Sequence, residues 1–249
     1  MEPLYQRDLA YVQAVGFGAL AEGAATEIVR RLKRCSLPIR RVLDVGCGAG
    51  PLARALTEAG FDVTGVDPSA ALLEFACATA PKARFLQASA YDIEIRDCDA
   101  VLAVGEPLTY RTNDAAGGNT EHDELVRRFF QGVAEGLPAG GMLILDVIGL
   151  GEPSLAGRTW RSGDDWAVLS ETTENQAERT LVRNIETFRR VGDFYRRSRE
   201  LHRVQLFDIQ RLGEELGLCG FAIETAQSYG AQQLPPRRHA FFATRLAKG

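Results

Sequence analysis

The chain has little with which to hold a metal or a disulfide framework. Its five cysteines, Cys35, Cys47, Cys77, Cys98 and Cys219, are odd in number, scattered and never spaced as CxxC. That pattern speaks against both and for reduced, mostly buried thiols. No apolar run approaches the roughly 20 residues of a membrane span. Residues 1–10 carry Glu2, Arg7 and Asp8 and no apolar stretch, so no signal peptide is expected there and a cytoplasmic location is. An excess of one charge is missing too. With 29 Lys and Arg against 33 Asp and Glu, the formal charge is −4. A small-molecule partner is favoured over nucleic acid or a membrane surface.

What is present is ordinary globular composition, 45% hydrophobic over 249 residues, enough for one α/β domain with an insertion or for two small domains. Residues 5–33 are largely helical in pattern, weakened by Gly16, Gly18 and Gly23. Strands are then expected over 41–45, 61–66, 83–87, 100–104 and 142–147. Between them come helices over 51–59, with Pro51 at its first position and Gly60 past its end, over 70–78 and over 120–137. Such alternation predicts a parallel sheet covered on both faces, and the run Val101-Leu102-Ala103-Val104 fits a strand buried on both sides. After Gly151 the pattern changes. Segments 166–170, 180–188 and 193–205 alternate polar and apolar residues, as an antiparallel sheet with one wet face does. A helix over 208–216 and strands over 221–225 and 239–245 close the chain.

The segment Asp44-Val45-Gly46-Cys47-Gly48-Ala49-Gly50 lies at the carboxyl end of the first expected strand, where open parallel sheets bind ligands. Its glycines allow a sharp turn and close approach of a ligand to the backbone. A dinucleotide fingerprint, G-x-G-x-x-G, would need glycine where this chain has Pro51. Asp44 also brings a carboxylate to the crevice, which suits an ammonium group and repels a pyrophosphate. Asp67, ending the second strand, can accept both hydroxyls of a ribose.

These residues resemble the D-x-G-x-G-x-G motif and the second acidic motif of class I S-adenosylmethionine-dependent methyltransferases. The resemblance covers residues 40–147, with 221–245 similar to the family's last two strands. It implies a doubly wound, seven-stranded Rossmann-like sheet of order 3-2-1-4-5-7-6, the last strand antiparallel, here with an antiparallel β insertion. It implies S-adenosylmethionine as cofactor, with Gly46, Cys47, Gly48 and Gly50 around the methionyl part and Asp67, Pro68 and Ser69 at the ribose. Ser89, Ala90 and Tyr91 would meet the adenine, Ser89 standing where the family usually has aspartate. The domain plan is then an N-terminal helical segment (1–40), the cofactor domain (41–150 and 206–249) and an insertion covering the substrate side (151–205).

Methyl transfer needs an in-line nucleophile, a dry pocket and sometimes a base. The loop Val104-Gly105-Glu106-Pro107-Leu108-Thr109-Tyr110 follows the fourth strand and should face the methyl group. It departs from the Asn/Asp-Pro-Pro-Tyr of nucleic-acid amino methyltransferases. Glu106 is the candidate base or orienter there, or a cap of the loop. Glu200 and His202, two apart on a strand, share a face and would pair as base and orienting carboxylate if that face covers the crevice. His122, after Gly117-Gly118-Asn119, is expected as a solvated residue at a helix start, with closure over the site as the alternative. His239 is read as structural. Eight arginines between 179 and 203 are expected to pair with acids across a sheet rather than to form an RNA groove. Trp160, Trp166 and Tyr195 could wall a pocket or build a minor core. Tyr5, Tyr11 and Phe17 lie in a segment that folds over the cofactor in related enzymes. The expected activity is methylation of O or N on a small molecule. Methylation of RNA or protein, a non-catalytic binding module and, less favoured, an NAD-dependent oxidoreductase are the alternatives, and homodimerisation is left open.

Overall fold

A computed structural model describes residues 4–111 and 118–247, the side chains of 118 and 119 excepted; Gly117 lies outside the described residues. Helices α1 (Arg7–Gly16) and α2 (Ala19–Arg34) precede β1 (Arg41–Val45), α3 (Pro51–Glu58), β2 (Asp62–Asp67), α4 (Ala70–Thr79), β3 (Arg84–Gln87) and β4 (Ala100–Ala103). A short 3-10 turn (Pro107–Thr109), α5 (Gly118–Gly136) and β5 (Met142–Ile148) follow. Then come β6 (Gly157–Ser162), β7 (Trp166–Asn175), β8 (Thr180–Val191) and β9 (Phe194–Gln205). The chain ends with α6 (Ile209–Leu218), β10 (Phe221–Ala226), the small hairpin β11 (Ser228–Tyr229) and β12 (Gln232–Gln233), and β13 (Arg238–Arg245).

Seven strands form the main sheet in the order β10-β13-β5-β4-β1-β2-β3. β1 to β5 run parallel, and β13 is antiparallel to both β5 and β10. This is the expected Rossmann-like order. β1 pairs with β2 on one side and β4 on the other, so the strand order reverses there and opens a crevice above β1.

The central strands β4 and β5 are buried along their whole lengths, as their apolar runs require. Their side chains alternate between two cores. Val101, Ala103, Leu143 and Leu145 pack with Phe129, Phe130 and Val133 of α5 and Leu212 and Leu216 of α6. Ala100, Leu102 and Ile144 pack with Ala24, Ile28 and Leu32 of α2 and Leu52 and Leu56 of α3. Local signals set the helix starts. Ser69 Oγ accepts the Leu72 N–H at 3.1 Å to cap α4, and Asp208 accepts the Arg211 N–H at 3.1 Å to cap α6. None of the helices among the described residues is long and apolar enough to cross a membrane.

β6 to β9 form a separate four-stranded antiparallel sheet in sequence order. β7 and β8 are longer than periodicity suggested, and β6 carried no signal because all six residues are exposed. Val191 pairs with Phe194 across a two-residue turn in which Gly192 supplies the positive φ of 62°. Register places Val168, Ile185, Arg183, Glu200, His202 and Val204 on one face, turned toward the main sheet. That face is joined to it by bridges Tyr110–Val204 and Gly149–Phe207 and by a core of Ile148, Leu181, Val204 and Leu206. α1 packs Leu9 and Val12 onto Trp166 and Val168. Leu102→Ala, at the centre of the main sheet, is expected to cost about 2–5 kcal/mol. Urea unfolding checks this; a loss below about 1 kcal/mol would contradict the packing described.

Candidate functional site

The turn after β1 uses left-handed backbone at Gly46, Gly48 and Gly50, with φ of 69°, 55° and 83°. At Gly46 no side chain fits, since a Cβ would lie 2.3 Å from the Pro107 Cβ. At Gly48 a Cβ would meet nothing within 4 Å, so this glycine borders open space. Asp44 is 2% exposed and its Oδ2 has no hydrogen-bond partner. Burial first, and then the charge of Asp67, push its carboxyl up to about 7. Asp67 is also raised by burial, partly offset by N–H bonds from Ser69 (2.8 Å) and Gly48 (3.0 Å). An orphaned buried carboxylate beside an open glycine turn fits a cationic ammonium group, the charged end of S-adenosylmethionine.

Beyond β4, Gly105 and Glu106 take consecutive left-handed conformations, φ 91° and 64°. Asp146 of β5 explains how this turn is held. Its carboxylate is fully buried and accepts the N–H groups of Gly105 (2.8 Å) and Glu106 (3.0 Å) and the Tyr229 hydroxyl (2.9 Å). Glu106 is buried between Arg183 of β8 (2.8 Å) and Arg238 of β13 (2.7 Å). Burial would raise its pKa, but the two guanidinium groups outweigh burial and hold it below the usual range. Such a carboxylate orients rather than takes protons at neutral pH.

The third wall comes from β9 and the N-terminal segment. His202 is fully buried; its Nε2 lies 2.8 Å from Glu200 Oε2, and its Nδ1 has no partner. Glu200 also accepts the N–H groups of Tyr5 (2.7 Å) and Gln6 (2.8 Å). Ser69 Oγ donates to the Tyr5 carbonyl at 2.8 Å. The Tyr5 hydroxyl meets that of Tyr110 at 2.7 Å, and both rings pack on His202. Asp8, buried in α1, pairs with Arg189 and Arg196. Residues 5–8 thus form a strap tied to the glycine-turn side through Ser69 and to the second sheet through Glu200.

The other expected residues are spread around this crevice. Cys47 turns its thiol into a small core with Leu73 and Ala76. Ser89 Oγ accepts the Tyr91 N–H at 3.2 Å, Ala90 packs against the α5 core, and Tyr91 donates to the Leu108 carbonyl at 2.9 Å. Pro68 offers its carbonyl to Gln87, and Val104 lies in the α2–α3 core. A Cβ on Gly105 would meet nothing within 4 Å. His122 is not solvated as expected. It is buried, 2.9 Å from the Leu108 carbonyl, and burial lowers its pKa to about 4. The arginines of the insertion pair with acids: Arg179 with Asp123, Arg183 with Glu106, and Arg197 and Arg199 with Glu186. Trp166 is core, whereas Trp160 and Tyr195 are exposed at 73% and 59% and build no part of that core. Asp146, Arg183, Arg238, Tyr110 and Tyr229 were missed as a group. Asp146 within an otherwise apolar strand, Met142-Leu143-Ile144-Leu145-Asp146-Val147-Ile148, was the one available signal.

A family model for a methyltransferase domain matches residues 42–135. The "Putative methyltransferase YqeM" of Bacillus subtilis (strain 168) is 27% identical over 224 residues, 86% of this chain and 87% of that one. Among solved structures, an S-adenosylmethionine-dependent methyltransferase from Clostridium acetobutylicum ATCC 824 superposes with a TM-score of 0.77 at 18% identity, covering 96% of this chain and 98% of that chain. The sugar N-methyltransferase KedS8 from Streptoalloteichus sp ATCC 53650 gives 0.73 at 22% identity, covering 95% and 91%. The matched stretch spans the glycine turn, both acids and the strands that carry them, so residues 42–135 are a methyltransferase domain, and the relatives and fold support a class I S-adenosylmethionine-dependent methyltransferase.

Proposed function

We propose that this methyltransferase acts on an O or N atom of a small molecule held between the strand ends of the main sheet and the inner face of the β6–β9 sheet. Residues 151–205 would then be the acceptor-side cover, and a cytoplasmic location goes with such a substrate. The observation that carries the reading is the pair of unsatisfied buried groups on opposite walls, Asp44 Oδ2 and His202 Nδ1. Gly46, Gly48, Gly50 and Asp44 would hold the methionyl end, Asp67 and Ser69 the ribose, and Ser89 to Tyr91 the adenine. When bound, S-adenosylmethionine supplies an electrophilic methyl group on a sulfonium. With no acceptor bound, the strap of residues 5–8 keeps water out of the crevice. Glu106, fixed by Arg183 and Arg238, orients the acceptor. Glu200 holds the His202 tautomer with its proton on Nε2, leaving Nδ1 free to take a proton from the acceptor atom. KedS8 is named for a sugar nitrogen, which suits a small acceptor with O or N nucleophiles.

Three outcomes follow. Affinity for S-adenosylhomocysteine should fall as pH drops below about 7, by at most about tenfold per unit, because a proton on Asp44 must leave before the ammonium is received. Asp44→Asn should weaken binding and flatten that slope in calorimetry; an equal slope would remove Asp44 from the site. Without ligand the sign reverses. The raised folded pKa means that ionising Asp44 costs stability, a cost growing from about pH 4 and complete above about pH 7. Asp44→Asn should therefore gain stability over the native chain as pH rises through that window, read from urea midpoints. His202→Ala should slow turnover about 10²–10⁴-fold with little change in cofactor affinity; retained turnover would exclude it as the base.

A further inference from the structure

Tyr5 is bound in a way that closing a crevice does not require. Its backbone is left-handed, φ 51°, a conformation that bulky residues avoid. Two hydrogen bonds hold it there, from its N–H to Glu200 and from Ser69 Oγ to its carbonyl. The result is delivery of a phenol ring into the slot between Tyr110 and His202, with centroids 6.0 Å and 5.0 Å away. The hydroxyl ends beside the Tyr110 hydroxyl and within the fields of Glu106 and Arg183, at the loop that follows β4. Two hydroxyls sharing one hydrogen bond retain one further O–H to donate. His202 Nδ1 beside them retains an unused lone pair.

We propose that the Tyr5 ring stands in for the methyl acceptor, and that the subsite it fills takes a small phenol, which displaces Tyr5 as the strap swings aside. This rests on the crevice being the methyl-transfer site and narrows its acceptor. A flat ring fits edge contacts with Tyr110 and His202. A phenol oxygen has two lone pairs and one proton. With Tyr110 as donor, one lone pair accepts its hydroxyl and the second stays free, and a phenol not tied to the chain can turn its proton to His202 Nδ1, a contact the Tyr5 hydroxyl does not make. An amine nitrogen has a single lone pair, and where the Tyr110 hydroxyl is the donor none is left to react. In the transfer, the phenol oxygen bonds to the methyl carbon while the carbon–sulfur electron pair returns to sulfur as a neutral thioether. The phenol proton passes to His202, whose imidazolium faces the Glu200 carboxylate. Arg183 lies where charge develops on the oxygen.

The test uses the full chain with S-adenosylhomocysteine and three probes of one shape: p-cresol, p-toluidine and toluene. Arg7, exposed at the start of α1, reports strap opening through tryptic cleavage. We expect p-cresol to raise cleavage after Arg7 about tenfold, as the open population grows, and the other two to leave it unchanged. In Tyr5→Phe, which keeps the ring and loses one hydroxyl bond, p-cresol should act at lower concentration. With labelled S-adenosylmethionine, methyl should appear on the p-cresol oxygen and not on p-toluidine nitrogen. Equal opening by toluene would reduce the slot to an apolar cavity and overturn the phenol. No opening by p-cresol in either protein would overturn Tyr5 as the stand-in. Opening without methyl on the p-cresol oxygen would overturn the acceptor. If calorimetry shows no S-adenosylhomocysteine binding while p-cresol still opens the strap, the methyl-transfer reading fails and the phenol subsite remains.

Discussion

Glu106 sits where three parts of the chain meet, and its two ion pairs hold them together. Its backbone belongs to the loop after β4, Arg183 reaches it from the second sheet, and Arg238 from β13. Burying three charges is costly, and removing one partner of such a set strands the others, at about 3–5 kcal/mol. The second sheet therefore has a preferred position over the strand ends rather than a range of them. Asp146 adds to this from below, because it accepts the two N–H groups that a left-handed turn at Gly105 and Glu106 points inward.

The two sides of the crevice are built by different physics. At the glycine turn the work is done by backbone: three left-handed glycines, an acid whose oxygens take N–H groups, and one carboxylate left without a partner. Such a wall is set by a few consecutive residues and is rigid because its turn is. On the facing wall, side chains from distant segments converge: Tyr5, Tyr110, Arg183, Glu200, His202 and Arg238. Each is placed by the packing of its own element, so the wall exists only once both sheets are in register.

Glu200 links the sides. The same carboxylate holds the N–H groups of the strap and the Nε2 of His202. Closing the strap and setting the imidazole tautomer are thus joined in one group. The strap's other bond, from Ser69, lies next to Asp67, so the glycine-turn wall and the second sheet are joined through the backbone of the strap.

The parallel main sheet and the glycine turn with Asp44 and Asp67 were legible in the sequence itself, whereas the strand order came from the resemblance to the methyltransferase family. Apolar runs, turn glycines and a short motif act over a few residues, and local sterics give them one meaning. The sharing of a face by Glu200 and His202 was legible for the same reason, since side chains alternate along a strand. Other features had no local signature. β6 is wholly exposed and carries no apolar period, and His122 looked like a solvated helix start until Leu108 and Tyr91 closed over it. The sequence by itself determined the glycine turn and its two acids, because that wall is made of neighbours in the chain. Only the tertiary structure decided what stands opposite the glycine turn. The partners there, Glu106 with Arg183 and Tyr5 with Tyr110, are 77 and 105 residues apart, and nothing but long-range packing brings their polar ends together.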